Sequence, residues 1–319
     1  MLTLAATLAV ADVDVGLRYT ENDNAFAADR NVENVAFVTP RASSMRPPVS
    51  HRSCFTRVLP RCLAPAFAGL LANVAFAQAP ADKAAPRTDA NSMLAHEQLV
   101  AKARRGGIDL YFVGDSITRR WGSSDAQYRD RLDNWTHNFF GWNAGNFGWG
   151  GDKTENILWR LEHGELDGVN PKVIVVLAGT NNVDKQLRDE AEIAGITRGL
   201  KAIVAVCREK APAATIILTG IFPRNDNPAV MPTINRINAN LAQLADGKKI
   251  RYLNVNDQLA DAEGRLFDGM MADQLHPSVK GYQVWADGLK PIFTELLGPP
   301  AATDHAPPPT GDPSAAAPR

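Results

Sequence analysis

Ile108-Asp109-Leu110-Tyr111-Phe112-Val113, followed at once by Gly114-Asp115-Ser116-Ile117, decides how the rest of this chain is read. The mostly apolar run over residues 108–113 predicts a buried strand. Gly-Asp-Ser then forces a sharp turn, and a helix can begin from Thr118 onward. A serine between the end of a strand and the start of a helix lies where ligands bind in open α/β sheets. Its hydroxyl is exposed there, and backbone N–H groups stand close enough to stabilise negative charge. Serine is also a common helix N-cap, so this stretch alone does not separate a nucleophile from a cap.

Outward from it the alternation repeats. Residues 142–147 form a short apolar-aromatic segment, and Val173–Leu177 is an uninterrupted β-branched run ending in Ala-Gly. Thr215–Thr219 repeats that pattern before Gly220, and residues 250–255 give the fifth and weakest strand signal. Uniformly apolar strands suit a sheet covered on both faces. Between them, Glu190–Lys210 carries Ile193, Ile196, Leu200, Ile203 and Val204 at helical spacing, and residues 233–245 and Val279–Leu297 follow the same rule. Such alternation with short connections implies right-handed βαβ units in an α/β fold, a three-layer α/β/α sandwich around a five-stranded parallel sheet. The compact domain is read as residues 92–298. Residues 78–91, rich in Ala, Pro, Asp and Lys, read as a linker, and the Pro/Ala-rich residues 299–319 as a disordered tail.

The first part of the chain has a different character. Met45 opens a segment with Arg46, His51, Arg52, Arg57 and Arg61, then the mostly apolar residues 62–74, then Ala75-Phe76-Ala77. That order resembles a secretory signal peptide cleaved after Ala77, so residues 1–44 read as an upstream over-extension and the protein as secreted or periplasmic. A disordered N-terminal extension is the plainer alternative. The 319 residues carry a formal net charge of −1, which gives no reason to expect nucleic acid or an anionic membrane as partner. No segment has the long apolar run of a spanning helix. Of three cysteines, Cys54 and Cys62 lie in the stretch expected to be removed, which leaves Cys207 as a core thiol.

In a parallel sheet the loops after the strands share one edge. Four segments converge there on this reading: Gly114-Asp115-Ser116; Asn146-Phe147-Gly148-Trp149-Gly150-Gly151-Asp152; Gly179-Thr180-Asn181-Asn182; and Asp273-Gln274-Leu275-His276-Pro277. Each alone reads as a turn or a cap, and together they match what acyl transfer needs. A serine hydroxyl is a poor nucleophile until a base takes its proton, histidine titrates nearest neutrality, and a carboxylate three residues earlier can fix its tautomer. The N–H groups of Ser116 and Gly151 and the Asn181 amide would serve as oxyanion donors. Among six histidines, His51 lies in the signal-like segment, His305 in the tail, His96 in the entry helix and His163 at a helix end. His137 is the remaining rival to His276 as base, and no Asp at comparable spacing orients it.

This order of motifs resembles the SGNH hydrolases, or GDSL-type esterases: Gly-Asp-Ser their first block, Asn146 to Asp152 the second, Gly-Thr-Asn-Asn the third and Asp-Gln-Leu-His-Pro the fifth. Asn146 to Asp152, with Leu158-Trp159-Arg160-Leu161-Glu162 and Gly164-Glu165-Leu166, also resembles the catalytic subunits of platelet-activating-factor acetylhydrolase and their bacterial relatives. The resemblance implies a flavodoxin-like fold and a triad of Ser116, Asp273 and His276. It implies oxyanion donors at Ser116, Gly151 (Gly150 if the loop register shifts by one) and Asn181, and no metal or organic cofactor. Asp115, Trp149, Asp152, Asn182 and Phe222, with Pro223 and Arg224, are the expected substrate-binding rim. The short connections point to a small acyl pocket. A serine esterase acting on acetyl esters, with an O-acetylated carbohydrate as substrate, is the expected function. The alternatives are a lysophospholipase or thioesterase for longer chains and a non-catalytic carbohydrate-binding relative. The sequence leaves open whether the protein is a homodimer.

Overall fold

The computed structural model describes residues 79–183 and 189–315. The signal-like segment and the residues before it lie outside the described residues.

Among the described residues, thirteen α-helices and β-strands follow one another: α1 (Ala90–Arg105), β1 (Leu110–Gly114), α2 (Ser116–Trp121), α3 (Arg129–Phe139), β2 (Ala144–Gly148), α4 (Thr154–Arg160), β3 (Val173–Leu177), α5 (Glu190–Lys210), β4 (Thr215–Thr219), α6 (Met231–Ala242), β5 (Ile250–Leu253), α7 (Asn256–Leu259) and α8 (Val279–Leu297). The strands make one parallel sheet in the order β2-β1-β3-β4-β5, with Phe112 opposite Asn146 on one side and Val175 on the other. The topology reverses at β1, so the crevice beyond its carboxyl end is where such a sheet takes its ligand.

Strand side chains alternate between two cores. Tyr111, Val113, Ile174, Val176, Ile216 and Leu218 pack with residues of α1, α4, α5 and α6. Leu110, Phe112, Val173, Val175, Leu177 and Ile217 pack with residues of α2, α3 and α8. The second core is aromatic: Trp121, Trp135, Phe139, Trp285 and Phe293 surround Phe112. Tyr282 of α8 also donates its hydroxyl to the Ile117 carbonyl at 2.6 Å. These contacts fix α8, and hence the loop before it, against the short helix that begins with Ser116. Cys207 is buried in the first core, and burial pushes its thiol up to about 12.

Both ends of the expected domain need correction. Residues 79–89 are a strap laid along the body, not a free linker. Thr154 Oγ1 donates to the Ala81 carbonyl (2.9 Å), Asn156 Nδ2 to that of Ala85 (3.0 Å) and Arg87 to that of Gly150 (3.1 Å). Asp89 then caps α1, accepting from Ser92 N. Of the tail expected to be disordered, residues 299–315 are docked on the body, and the rest lies outside the described residues. Ala301 N donates to Gly141 O, Asp304 accepts from Gly141 N, His305 N donates to Asn143 Oδ1, and Asp312 accepts from Asn91 Nδ2 while its own N–H donates to the Asp125 carboxylate. A Pro-rich segment has no core of its own, but its stiff backbone loses little entropy on docking, and these polar anchors hold it.

Candidate active site

Ser116 stands directly after Gly114-Asp115, and the fold brings His276 to it from 160 residues away: Ser116 Oγ lies 2.9 Å from His276 Nε2. On the other side of the ring, Nδ1 lies 2.9 Å from both carboxylate oxygens of Asp273. Local sequence dictates this geometry. Asp273 Oδ1 also accepts the N–H groups of Leu275 and His276, a turn closed by the carboxylate's own side chain. Gln274 takes a left-handed backbone (φ 66°) at its centre. Near Ser116, a Cβ on Gly114 would stand 2.4 Å from the Leu177 carbonyl and 2.2 Å from Thr118 Oγ1, so only glycine lets α2 start this close to β3.

The expected oxyanion donors gather at the same sheet edge. Gly151 has φ 77°, the left-handed region that favours glycine, and no acceptor among the described residues engages its N–H or that of Ser116. Asn181 gives one amide hydrogen to the Asp152 carbonyl at 2.8 Å, which orients the side chain and leaves its second N–H for a ligand. His137 lies exposed on α3, away from this group.

Electrostatics suit a neutral base. Burial lowers the His276 pKa below 6.5, the Arg120 and Arg131 guanidiniums add to that, and Asp273 offsets it in part. Burial alone would raise the Asp273 carboxyl, yet the His276 N–H and ring and the Arg120 guanidinium hold it well below the usual carboxylate range. Arg120 Nη1 donates to Asp273 Oδ2 at 3.0 Å, and Arg131 Nε donates to the Pro277 carbonyl at 3.5 Å. Neutral imidazole is required, so ester hydrolysis falls as pH drops through the His276 pKa, with its acid limb below pH 6.5. Arg120→Met removes a cation that opposes protonation, so the limb moves to higher pH. A pH profile of kcat/KM that is unchanged in this variant contradicts the assignment.

Sequence reasoning missed Arg120 and a buried ion network behind the loops. Arg160 Nε pairs with Asp152 Oδ2 at 2.7 Å, and its Nη1 with Glu165. The same guanidinium donates to the Phe147 carbonyl (3.1 Å) and the Gly114 carbonyl (3.3 Å). Glu165 in turn holds His96 at 2.8 Å. Arg160 thus ties the ends of β1 and β2 to the loop that carries Gly151. The signal was present in the sequence: Arg160 and Glu165 are charges in a stretch whose other periodic positions are apolar.

Most of the expected substrate rim is not rim. Asp115 is buried and caps α2, its Oδ1 accepting from Ile117 N, and burial pushes its carboxyl up to about 7. Asp152 belongs to the ion network. Trp149 is buried with Nε1 donating to Ser92 Oγ (2.8 Å) and Arg119 over its ring. Asn182 accepts from Thr154 N and donates to Glu155. Phe222 packs edge-on against Trp285 in the core. Each lies beside a site loop in sequence, but its side chain faces inward because the helix layers cover both faces of the sheet. Arg224 spans two loops, donating to the Thr180 carbonyl (3.1 Å) and pairing with Asp226.

A serine hydroxyl hydrogen-bonded to an imidazole that a carboxylate orients, with N–H donors beside it on a parallel sheet, defines an ester hydrolase of the SGNH type. The profile described as the GDSL-like Lipase/Acylhydrolase family matches residues 112–284. The platelet-activating factor acetylhydrolase IB subunit alpha1 of Bos taurus is 32% identical over 224 residues, covering 68% of this chain and 90% of the relative. Subunit alpha2 of Bos taurus is 34% identical over 212 residues, covering 64% and 84%. In fold, a GDSL-like lipase from Bacteroides thetaiotaomicron superposes with a TM-score of 0.52 at 17% identity, over 63% of this chain and 98% of that one. The chain belongs to the GDSL-like lipase/acylhydrolase family and is a carboxylic ester hydrolase.

Proposed function

We propose that the chain cleaves short-chain, acetyl-type esters through an acyl-enzyme on Ser116, with O-acetylated carbohydrate as the substrate class. The hydrogen-bonded line from Ser116 Oγ through His276 to Asp273 carries this reading. Ser116 Oγ attacks the ester carbonyl carbon as its proton passes to His276 Nε2. The N–H groups of Ser116 and Gly151 and the Asn181 amide receive the oxyanion, each donor contributing about 3–4 kcal/mol in such sites. Collapse breaks the bond to the alcohol oxygen, which leaves with the proton from His276. Water then gives a proton to the same nitrogen and attacks the acyl-serine; the bond from the acyl carbon to Ser116 Oγ breaks, Oγ takes the proton back from His276, and the carboxylic acid leaves.

Short connections support a small acyl pocket: α2 starts within two residues of β1, and the aromatic side chains of Trp149 and Phe222 are packed into the body and do not line a tunnel. The acetylhydrolase names of the curated relatives favour the same acyl size. The basic, apolar and small residues in order over 45–77 support export, and so a substrate outside the cytoplasm. Release of p-nitrophenol from acetate, butyrate and decanoate esters tests the acyl preference. We expect the acetate to react fastest. A faster decanoate removes the small-pocket reading, and inertness toward all three removes the esterase mechanism.

A further inference from the structure

The loop that carries Gly151 is a tight turn with two glycines at its centre. Asp152 N donates to the Trp149 carbonyl at 3.4 Å, which closes the turn over four residues. Gly151 has φ 77° and Gly150 stays outside the left-handed region, the signature of a type II turn. A type I turn closes the same four residues with the middle peptide rotated by about half a turn. Glycine stands on both sides of that peptide, so no Cβ opposes either state. The middle peptide holds the Gly150 carbonyl and the Gly151 N–H, which point in opposite directions across a trans bond. A flip exchanges them. The Gly151 N–H then leaves the oxyanion position, and a carbonyl oxygen that repels negative charge takes its side.

One side chain holds the carbonyl end. Arg87, on the strap ahead of α1, donates from Nη1 to the Gly150 carbonyl at 3.1 Å, and the same nitrogen stands 3.5 Å from Asp152 Oδ1. The rest of its guanidinium is fixed by Asp89, whose Oδ2 lies 3.0 Å from Nη2 and 3.2 Å from Nε. Asp89 is in turn anchored as the cap of α1, accepting from Ser92 N at 2.9 Å. A Cβ on Gly151 would lie 3.2 Å from Arg87 Nη1, so the guanidinium packs directly on the turn. At the far end of the turn the Asp152 carbonyl accepts the Asn181 amide, so the segment that Arg87 holds also aims a second side of the oxyanion site. No hydrogen bond or ion pair among the described residues joins Arg87 to Ser116, Asp273 or His276. It reaches the chemistry only through the turn.

We infer that Arg87 is a positioning residue for ester hydrolysis: by pinning the Gly150 carbonyl it holds the turn in its type II form and keeps the Gly151 N–H aimed at the oxyanion. This rests on the acyl-enzyme reading above, and it gives the strap of residues 79–89 a part in turnover.

The test begins with Arg87→Ala and p-nitrophenyl acetate. A freed turn spends part of its time in the flipped state, where the site lacks one donor. We expect kcat and kcat/KM to fall together by about 10- to 100-fold, with KM little changed. The oxyanion itself is probed with 1,1,1-trifluoroacetone: Ser116 Oγ adds to its carbonyl carbon, the Oγ proton passes to His276 Nε2, and the carbonyl oxygen becomes the anion. Its inhibition constant rises in Arg87→Ala by the factor that kcat loses. Arg87→Lys keeps a donor for Gly150 and falls between the two, and millimolar guanidinium chloride, unlike sodium chloride, restores part of the Arg87→Ala rate. Arg198→Met loosens the same strap at its exposed pair with Asp82 (3.0 Å) and leaves kcat and the inhibition constant unchanged. A wild type inert toward p-nitrophenyl acetate sinks the acyl-enzyme reading and the role of Arg87 with it. An active wild type overturns that role alone if Arg87→Ala keeps its kcat, loses only in KM, or binds trifluoroacetone as before. A loss of equal size in Arg198→Met does the same, because the strap as a whole would then carry the effect.

Discussion

Ser116→Ala lowers kcat/KM for p-nitrophenyl acetate by about four orders of magnitude or more, and His276→Ala by a similar factor. The two losses do not add. The hydroxyl and the imidazole, 2.9 Å apart, act as one unit, so the double variant is close to either single one. What remains comes from substrate binding and the oxyanion donors. A fluorophosphonate probe labels wild type and not Ser116→Ala, because only an activated oxygen attacks phosphorus. Labelling that persists in Ser116→Ala, or substantial turnover without the hydroxyl, would move the nucleophile elsewhere. Neither side chain is part of the aromatic core under α2, so both variants should keep the melting temperature of the parent.

Arg160→Met has its main effect on stability. Arg160 is buried, and so are Asp152 and Glu165, the two carboxylates it joins. Removing one member of such a group leaves uncompensated charge in the interior, which costs about 3–5 kcal/mol. For a domain of this size that lowers Tm by roughly 6–20 °C. Burial already pushes the Asp152 carboxyl up to about 6 even with the guanidinium present. Without Arg160 that group takes up a proton in the folded state, which softens the loss at acid pH. Thermal unfolding measured at pH 5.5 and pH 8 should therefore show a larger drop at pH 8. Arg265→Met, at an exposed pair with Asp261, is the control and leaves Tm where it was. Equal melting of Arg160→Met and its parent at both pH values would show that the buried group is neutralised by other means.

Where the sequence carried a long, consistent pattern, the structure follows it. The β3 and β4 runs and the helices Glu190–Lys210 and Val279–Leu297 have the expected bounds, since unbroken apolar strands and three-four spacing admit one solution. The edges of β1 and β2 shifted by one or two residues. There glycines at 114 and 148 stay in the ladder, although composition marks them as breakers. The pairing of Ser116 with His276 was legible because chemistry and topology agree on it: loops after parallel strands meet, and Asp-x-x-His orients its own ring. Side-chain direction within a loop was not legible. Trp149 and Phe222 sit among site residues in sequence, and only the packing of Ser92, Arg119 and Trp285 around them shows that they face inward. The ordered tail was hidden for a related reason. It is held by hydrogen bonds that Asp304 accepts from the Gly141 N–H and Asp312 accepts from the Asn91 amide of α1, both far off in sequence, and no local composition announces them.

The docking of α8 through Tyr282 onto the Ile117 carbonyl has a consequence for biosynthesis. The serine leaves the ribosome long before its imidazole partner, and the two meet only after the last long helix has emerged and closed the sheet. A truncated or half-made chain is therefore unable to hydrolyse esters in the cell that makes it, and the onset of turnover doubles as a clock for completion of the whole domain.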